Sequence, residues 1–485
     1  MGRNFSTAFL IASALVLGGF GPPWSQTNAH AEAGPSAATQ PVIRGAQAIP
    51  SGSSPQIEIS GLGPRESVRI YSVRMFAVGG ADPQGGWSPK PRPIIAWADA
   101  KADRRGRVDL GGANVRTGSW RGRDPTAILW SGVRQEDPRA PRPQGFDALA
   151  LKEGEGVVLV ERNGSIVARS PLQIVTPRGV EVIDVDQGPL NGAFAAPSGA
   201  RRLPVIIILH GSEGGDRAEA REVAARYAGQ GFAAFALNYF AWDFRNIPII
   251  PNVHVNQPIE IIEGVRDWLR TRPEADVGRL GVFGVSKGAE FAAVAAVRYP
   301  WIRAVTACVG TDVVWEGYGL DDERSQRGRA SRARPEKMSS WSWGGAPLDY
   351  IPLHNALPGE PGYFDNTERY ERSRAENPAA AKAAEIPLEL SPAKFLLLGG
   401  GRDEIWASGA MVTRLAERVR EAGRARDVEA VVYPKAGHGI CGDGAFPPRV
   451  WAEDSAGARK KDPYAEGQAA VDAWARTIGF FRRTL

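Results

Sequence analysis

The residues of this chain best suited to chemistry stand in one short run, Gly284-Val285-Ser286-Lys287-Gly288. It follows the apolar stretch 280–283, which reads as a strand, and opens the alanine-rich stretch 289–297, which reads as a helix. A serine between glycines at a strand-to-helix turn can have its hydroxyl lifted clear of the backbone, because small neighbours permit a strained bend. In a glycine-rich chain the same pentapeptide also arises by chance and marks a plain turn; the flanking strand and helix favour the nucleophile. A serine hydroxyl needs a base to take its proton, and the base needs an acid to orient it. Downstream, the apolar stretch 395–398 runs into Gly399-Gly400-Gly401-Arg402-Asp403, and the stretch 428–433 runs into Pro434-Lys435-Ala436-Gly437-His438. Each places a functional side chain in the loop just past a strand.

The order Ser286, Asp403, His438 is that of nucleophile, acid and base in α/β hydrolases. Glu404 adjoins Asp403 as a rival acid; Asp403 is preferred because it comes first after the turn. Of the other histidines past the leading segment, His254 and His354 fall in irregular stretches and read as surface or structural. His210, directly after 205–209, reads as shaping a loop and not as the base. The oxyanion of acyl transfer requires preorganised donors. One is expected from the backbone N–H of Lys287, where the helix dipole helps, and the second from Gly211 or Ser212 in His210-Gly211-Ser212-Glu213-Gly214-Gly215. That loop lacks the Gly-Lys-Ser/Thr ending of a phosphate cradle, and Glu404 stands where a dinucleotide fingerprint needs its third glycine. No His-x-x-x-His or Cys-x-x-Cys spacing points to a metal, so no cofactor is expected. Cys308 and Cys441 read as two free, partly buried thiols ahead of a disulfide that export would permit, and Cys441 lacks the elbow a nucleophile needs.

Stepping from these loops to the elements that must hold them, apolar runs at 205–209, 232–237, 280–283, 304–308, 395–398 and 428–433 alternate with helical stretches from 179 onward. Runs apolar throughout suit parallel strands covered on both faces, so 179–485 reads as an α/β domain with a mostly parallel sheet. The helix at 217–229 and the one-sided set Ile261, Ile262, Val265, Trp268 and Leu269 are among its expected covers. The segment 312–392 breaks the alternation and reads as an insertion. Its arginines at 324, 327, 329, 332 and 334, followed by Trp341 and Trp343, make either a basic lid for an anionic substrate or an ordinary solvated loop. Earlier, 55–178 shows short alternating runs, frequent Gly and Pro, and Asn163-Gly164 between two such runs, which together read as an antiparallel β-sandwich.

The chain has 485 residues, 59 Lys and Arg against 54 Asp and Glu, and two cysteines. Charge so balanced gives no nucleic-acid stripe, and two cysteines exclude a disulfide framework. Arg3, the apolar run 5–20 and Ala29-His30-Ala31 read as a cleaved signal peptide over 1–31, with a flexible leader over 32–54. An uncleaved anchor is the alternative, disfavoured by Pro22-Pro23 and the polar stretch 25–28. The expected product is an exported protein, periplasmic or secreted, with no membrane span after processing.

The chain resembles the acyl-CoA thioesterase and bile acid-CoA:amino acid N-acyltransferase (BAAT) family. In the first domain the resemblance lies in Gly118-Ser119-Trp120-Arg121-Gly122-Arg123-Asp124-Pro125 and Leu129-Trp130-Ser131; in the second, in Gly284-Val285-Ser286-Lys287-Gly288-Ala289-Glu290, Ile386-Pro387-Leu388-Glu389 and Asp403-Glu404-Ile405-Trp406-Ala407-Ser408. It implies an immunoglobulin-like sandwich followed by an α/β-hydrolase domain, with Ser286, Asp403 and His438 as the triad. It also implies a small acyl thioester or ester as substrate. Because the family's amino-acid transferases use cysteine, a serine leans toward hydrolysis. Acyl transfer to an amine or alcohol, or a binding protein on a hydrolase scaffold, stays open beside it.

Overall fold

Residues 40–78, 90–135, 137–143, 145, 150–318, 337–354, 366–450 and 461–485 are described by the structure, a computed structural model. The expected signal peptide and the arginines of 324–334 lie outside these residues. The chain divides into two compact units: one runs to Val175 and takes in the later return 445–450, and the other holds Thr176–Gly444 and the residues from 461 onward.

In the first unit, apolar alternation along Ser67–Val78 and Gly156–Arg162 produces long antiparallel strands. With Lys90–Lys101, Val133–Arg134 and Ser165–Pro171 they form a five-stranded sheet. Asn163 and Gly164 take φ of 51° and 80°, the positive values that a tight two-residue hairpin turn demands. A second sheet joins Val42–Arg44, Glu58–Ser60 and Val108–Asp109, all antiparallel. The described part of 32–54 is therefore no flexible leader. Val42 pairs with Ser60, Ile43 is buried, and Ile49–Pro50 pairs with Ile174–Val175. Strands of two and three residues carry too little alternation to be seen in the sequence. The 118–131 motif is core: Trp120 and Trp130 are buried, the Ser119 hydroxyl accepts from Trp97 N–H at 3.0 Å and lies 2.7 Å from Ser131 Oγ.

The second unit is built on eight strands: β1 Val180–Gln187, β2 Leu190–Pro197, β3 Leu203–Leu209, β4 Ala233–Leu237, β5 Ala275–Val285, β6 Ile302–Cys308, β7 Lys394–Gly400 and β8 Val428–Tyr433. They lie in the order β1-β2-β4-β3-β5-β6-β7-β8, with β2 antiparallel to both β1 and β4 and the remaining pairs parallel. That is the α/β-hydrolase sheet. In β3, Val205, Ile207 and Leu209 enter one hydrophobic layer while Ile206 and Ile208 enter the other, which is why the run shows no polar face. The β1–β2 hairpin, unlike the other six strands, is absent from the sequence reading: exposed positions break the apolar run of β1, and Asn191, Gly192 and Pro197 break that of the buried β2.

Helices cover both faces: α1 Arg217–Ala228, α2 Ile261–Arg270, α3 Lys287–Arg298, α4 Asn366–Glu376, α5 Ser408–Val419 and α6 Pro463–Thr484. Asp216 and Asp462 cap α1 and α6 by accepting first-turn N–H groups, and Pro463 starts α6 where no N–H is required. Among the described residues no helix is long and apolar enough to cross a membrane. The described parts of 312–392 include packed core, while the arginines on which the lid and loop readings rest lie outside the described residues. Asp312 is buried under Arg374 and Arg414, Trp315 and Trp341 are fully buried, and Trp341–Trp343 pairs with Gln257–Pro258. Cys308 and Cys441, expected as free thiols, form a disulfide with Cα atoms 6.0 Å apart. The end of β6 and the loop after β8 meet at one end of the sheet, a juxtaposition that a sequence separation of 133 conceals.

Candidate active site

All three chemical loops leave the carboxyl ends of parallel strands, where open α/β sheets gather their ligands. Ser286 stands between β5 and α3 at φ 55°, ψ −118°, a conformation that costs a non-glycine residue about 1–3 kcal/mol. The surroundings enforce it. A Cβ on Gly284 would lie 2.1 Å from Gly288 O, and one on Gly288 would lie 2.3 Å from His210 O. Both glycines are thus required by the close pass of the turn over β3. The Ser286 N–H donates to Cys308 O at 3.0 Å, and its carbonyl accepts from Ala289 and Glu290, which starts the helix.

Asp403 and His438 are brought together. His438 Nδ1 lies 2.9 and 2.8 Å from the two Asp403 carboxylate oxygens, so Nδ1 carries the hydrogen and Nε2 is the basic nitrogen of the neutral ring. The Asp403 side chain is fully buried, and its oxygens also accept from Ile405 N–H at 2.9 Å, Trp406 N–H at 3.3 Å and the Ser408 hydroxyl. Burial opposes the imidazolium, but the charge and hydrogen bond of Asp403 prevail and hold the His438 pKa above its ordinary value. Glu404, the rival acid, has another task. It accepts from His438 N–H at 3.3 Å and pairs with buried Lys461 at 2.6 Å. Lys461 also pairs with Glu466 at 3.1 Å, and Glu466 accepts from Gly437 N–H at 2.7 Å, so this cluster grips the histidine loop from beneath.

The oxyanion loop departs from expectation at one donor. Gly211 N–H is already committed to Glu213 Oε1 at 2.7 Å, which removes Gly211 as a donor. Ser212 N–H has no acceptor among the described residues, while its carbonyl accepts from Trp242 Nε1 at 3.0 Å. Lys287 is the first residue of α3, and an N–H there has no partner within the helix. The loop lies against the elbow: a Cβ on Gly211 would come 3.1 Å from Ser286 Cβ. His210 is stacked on Tyr239 at 4.1 Å, its Nδ1 lies 2.8 Å from Gly211 O, and burial lowers its pKa to about 4, so it is a neutral brace for the loop. His254 is buried among rings, and His354 pairs with Glu376; neither approaches the site through any hydrogen bond.

Sequence reasoning assigned no role to Ser408, Glu213, Lys461 or the side chain of Lys287. The Lys287 ammonium is buried, 2.6 Å from Glu290, which also accepts from Trp341 Nε1 and Trp315 N–H. A lysine and a glutamate three apart at the start of an otherwise apolar helix is a signal of that pair.

The sequence matches the family described as BAAT / Acyl-CoA thioester hydrolase C terminal over residues 258–485, and the dienelactone hydrolase family over 190–316. It is 26% identical to acyl-coenzyme A thioesterase 6 of Mus musculus over 455 residues, 88% of this chain and 93% of that protein. Acyl-coenzyme A thioesterase 5 of Mus musculus is 27% identical over 409 residues, 80% of this chain and 86% of its own length. An esterase from Pyrobaculum calidifontis aligns with 62% of this chain and 87% of its own at 14% identity and a TM-score of 0.34, a likeness too slight to add to the strand order. A nucleophile elbow on this sheet, with matches of this kind, marks a hydrolase whose residues 258–485 are similar to the acyl-CoA thioesterase/BAAT family.

Proposed function

We propose that Ser286, His438 and Asp403 act as a catalytic triad that hydrolyses acyl thioesters, or closely related carboxylic esters, through an acyl-enzyme. The observation that carries this reading is the Asp403–His438 pair, aligned in the loops of the sheet end that also presents Ser286 at its strained elbow. His438 Nε2 takes the Ser286 proton as Oγ attacks the acyl carbonyl, and Asp403 keeps the imidazole in the required tautomer. The oxyanion is received by the N–H groups of Lys287 and Ser212. His438 then returns the proton to the departing thiol or alcohol, and water repeats the cycle to free the acid. The names of the mouse relatives make acyl-coenzyme A the first substrate class to try. We further place the protein in an exported, oxidising setting, a reading supported by its N-terminal sequence and by the disulfide.

The test is a panel of acyl-CoA thioesters and p-nitrophenyl esters, assayed with and without an amine acceptor. Hydrolysis to the free acid that disappears in Ser286→Ala supports the reading. Acyl amide as the main product would replace hydrolysis by transfer, and absence of both turnover and fluorophosphonate labelling would leave a binding protein.

A further inference from the structure

The chain's two cysteines are spent on a single bond at the sheet end that carries the loops of the proposed triad. Cys308 closes β6 in register with Val285, the last residue of β5, and its carbonyl accepts the Ser286 N–H at 3.0 Å. The next residue, Val309, takes φ 45°, unusual for a β-branched side chain. Its carbonyl accepts from Trp406 Nε1 at 2.9 Å. Trp406 in turn donates its N–H to Asp403 at 3.3 Å and sets its ring edge-on to His438, with centroids 6.1 Å apart. Cys441, the other half of the bond, lies three residues past His438 in a stretch without helix or strand. Residues 308–309 therefore touch all three catalytic loops: the nucleophile by a hydrogen bond, the acid's loop through Trp406, and the base's loop by a covalent bond.

The histidine loop is held differently on its two sides. Before and at His438 it is gripped by Glu404, Lys461 and Glu466. Beyond His438 it is fixed by the disulfide, by buried Ile440, and by the Arg226–Asp443 pair at 3.2 Å. We propose that the Cys308–Cys441 disulfide is a positioning element of the catalytic machinery: it keeps His438 aligned with Ser286, so the oxidised protein is the working form. Reduction costs turnover before it costs the fold. This rests on the triad assignment above. The step is a thiol–disulfide exchange: a dithiol reductant delivers two electrons and two protons, the S–S bond breaks into two thiols, and the reductant becomes its own disulfide. The charged groups facing His438 are Asp403, Glu404, Lys461 and, from the loop after β3, Glu213. Of these Asp403 does most to favour the imidazolium, so a loop that drifts from Asp403 lets the acid limb of kcat/KM move toward lower pH.

The experiment compares oxidised wild type, wild type reduced with dithiothreitol and desalted without oxygen, and the Cys308→Ala/Cys441→Ala variant, using p-nitrophenyl acetate. The reduced and variant forms are expected to lose kcat by about ten- to a hundredfold, the scale of a small misplacement of a catalytic group, with KM changed less than about twofold. Their acid limb moves down, their circular dichroism is that of the oxidised form, and reoxidation restores the wild type. Reduced protein with two alkylatable thiols that keeps the oxidised kcat and pH profile overturns the proposal. So does reduction that unfolds the chain, since the bond would then be a crosslink of the fold alone. Ser286→Ala, measured in the oxidised state, separates the two readings: turnover that persists there defeats the triad assignment on which the proposal rests, whereas turnover lost there but unchanged by reduction of the wild type defeats the role of the disulfide alone.

Discussion

At His438 the proposed mechanism meets pH. The base works as neutral imidazole, so activity falls as pH drops through its pKa, and that pKa is held above the ordinary 6.5 by Asp403 in spite of burial. The kcat/KM profile is expected to show an acid limb above pH 6.5; a limb at or below that value contradicts the geometry. Asp403→Asn removes the charge and inverts the hydrogen bond, so kcat is expected to fall by about 10⁴-fold while folding is retained. Ser408→Ala takes a donor from buried Asp403 and an acceptor from Gly400 N–H, which lies 3.0 Å from the hydroxyl. Thermal and denaturant unfolding should register a loss of about 1–3 kcal/mol, the cost of leaving such groups unpaired.

The elbow shows what a sequence can and cannot reveal about an element. Ser286 was legible because glycine spacing, strand and helix all pointed to one turn, and the structure explains the spacing: neither Gly284 nor Gly288 has room for a methyl group. Gly284→Ala and Gly288→Ala should each destabilise the second unit by about 1–3 kcal/mol or prevent its expression, as seen by thermal melts. The flanking ion pair was missed although its spacing signals it, since Lys287 and Glu290 pass for helix-surface residues until the first ten residues of α3 are seen to be buried. Breaking it with Lys287→Met leaves Glu290 as an unpaired buried acid and should cost about 3–5 kcal/mol. The double change Lys287→Met/Glu290→Leu should recover part of that loss. Gly211 failed as a donor for a similar reason: nothing in the order of residues shows that the Glu213 carboxylate folds back onto its N–H.

For the whole molecule, the change of rhythm near 179 pointed to two units, and the six apolar strands after it are present in the second. What the chain order hides is the return of 445–450 to the first unit, where the Phe446 ring meets Phe76 at 5.4 Å and Arg134 donates to Val450 O at 3.1 Å. A fragment ending at Val175 should therefore melt below the corresponding transition of the full chain, and adding a 445–450 peptide should raise its melting temperature. The central claim, that Ser286 carries the acyl group between two half-reactions, is tested most directly by intact-protein mass spectrometry of rapidly quenched reactions with a p-nitrophenyl ester or acyl-CoA, followed by peptide mapping. An acyl adduct that maps to Ser286, appears and decays during turnover, and fails to form in His438→Ala is the predicted result; full turnover in Ser286→Ala, or an adduct on another residue, would contradict it.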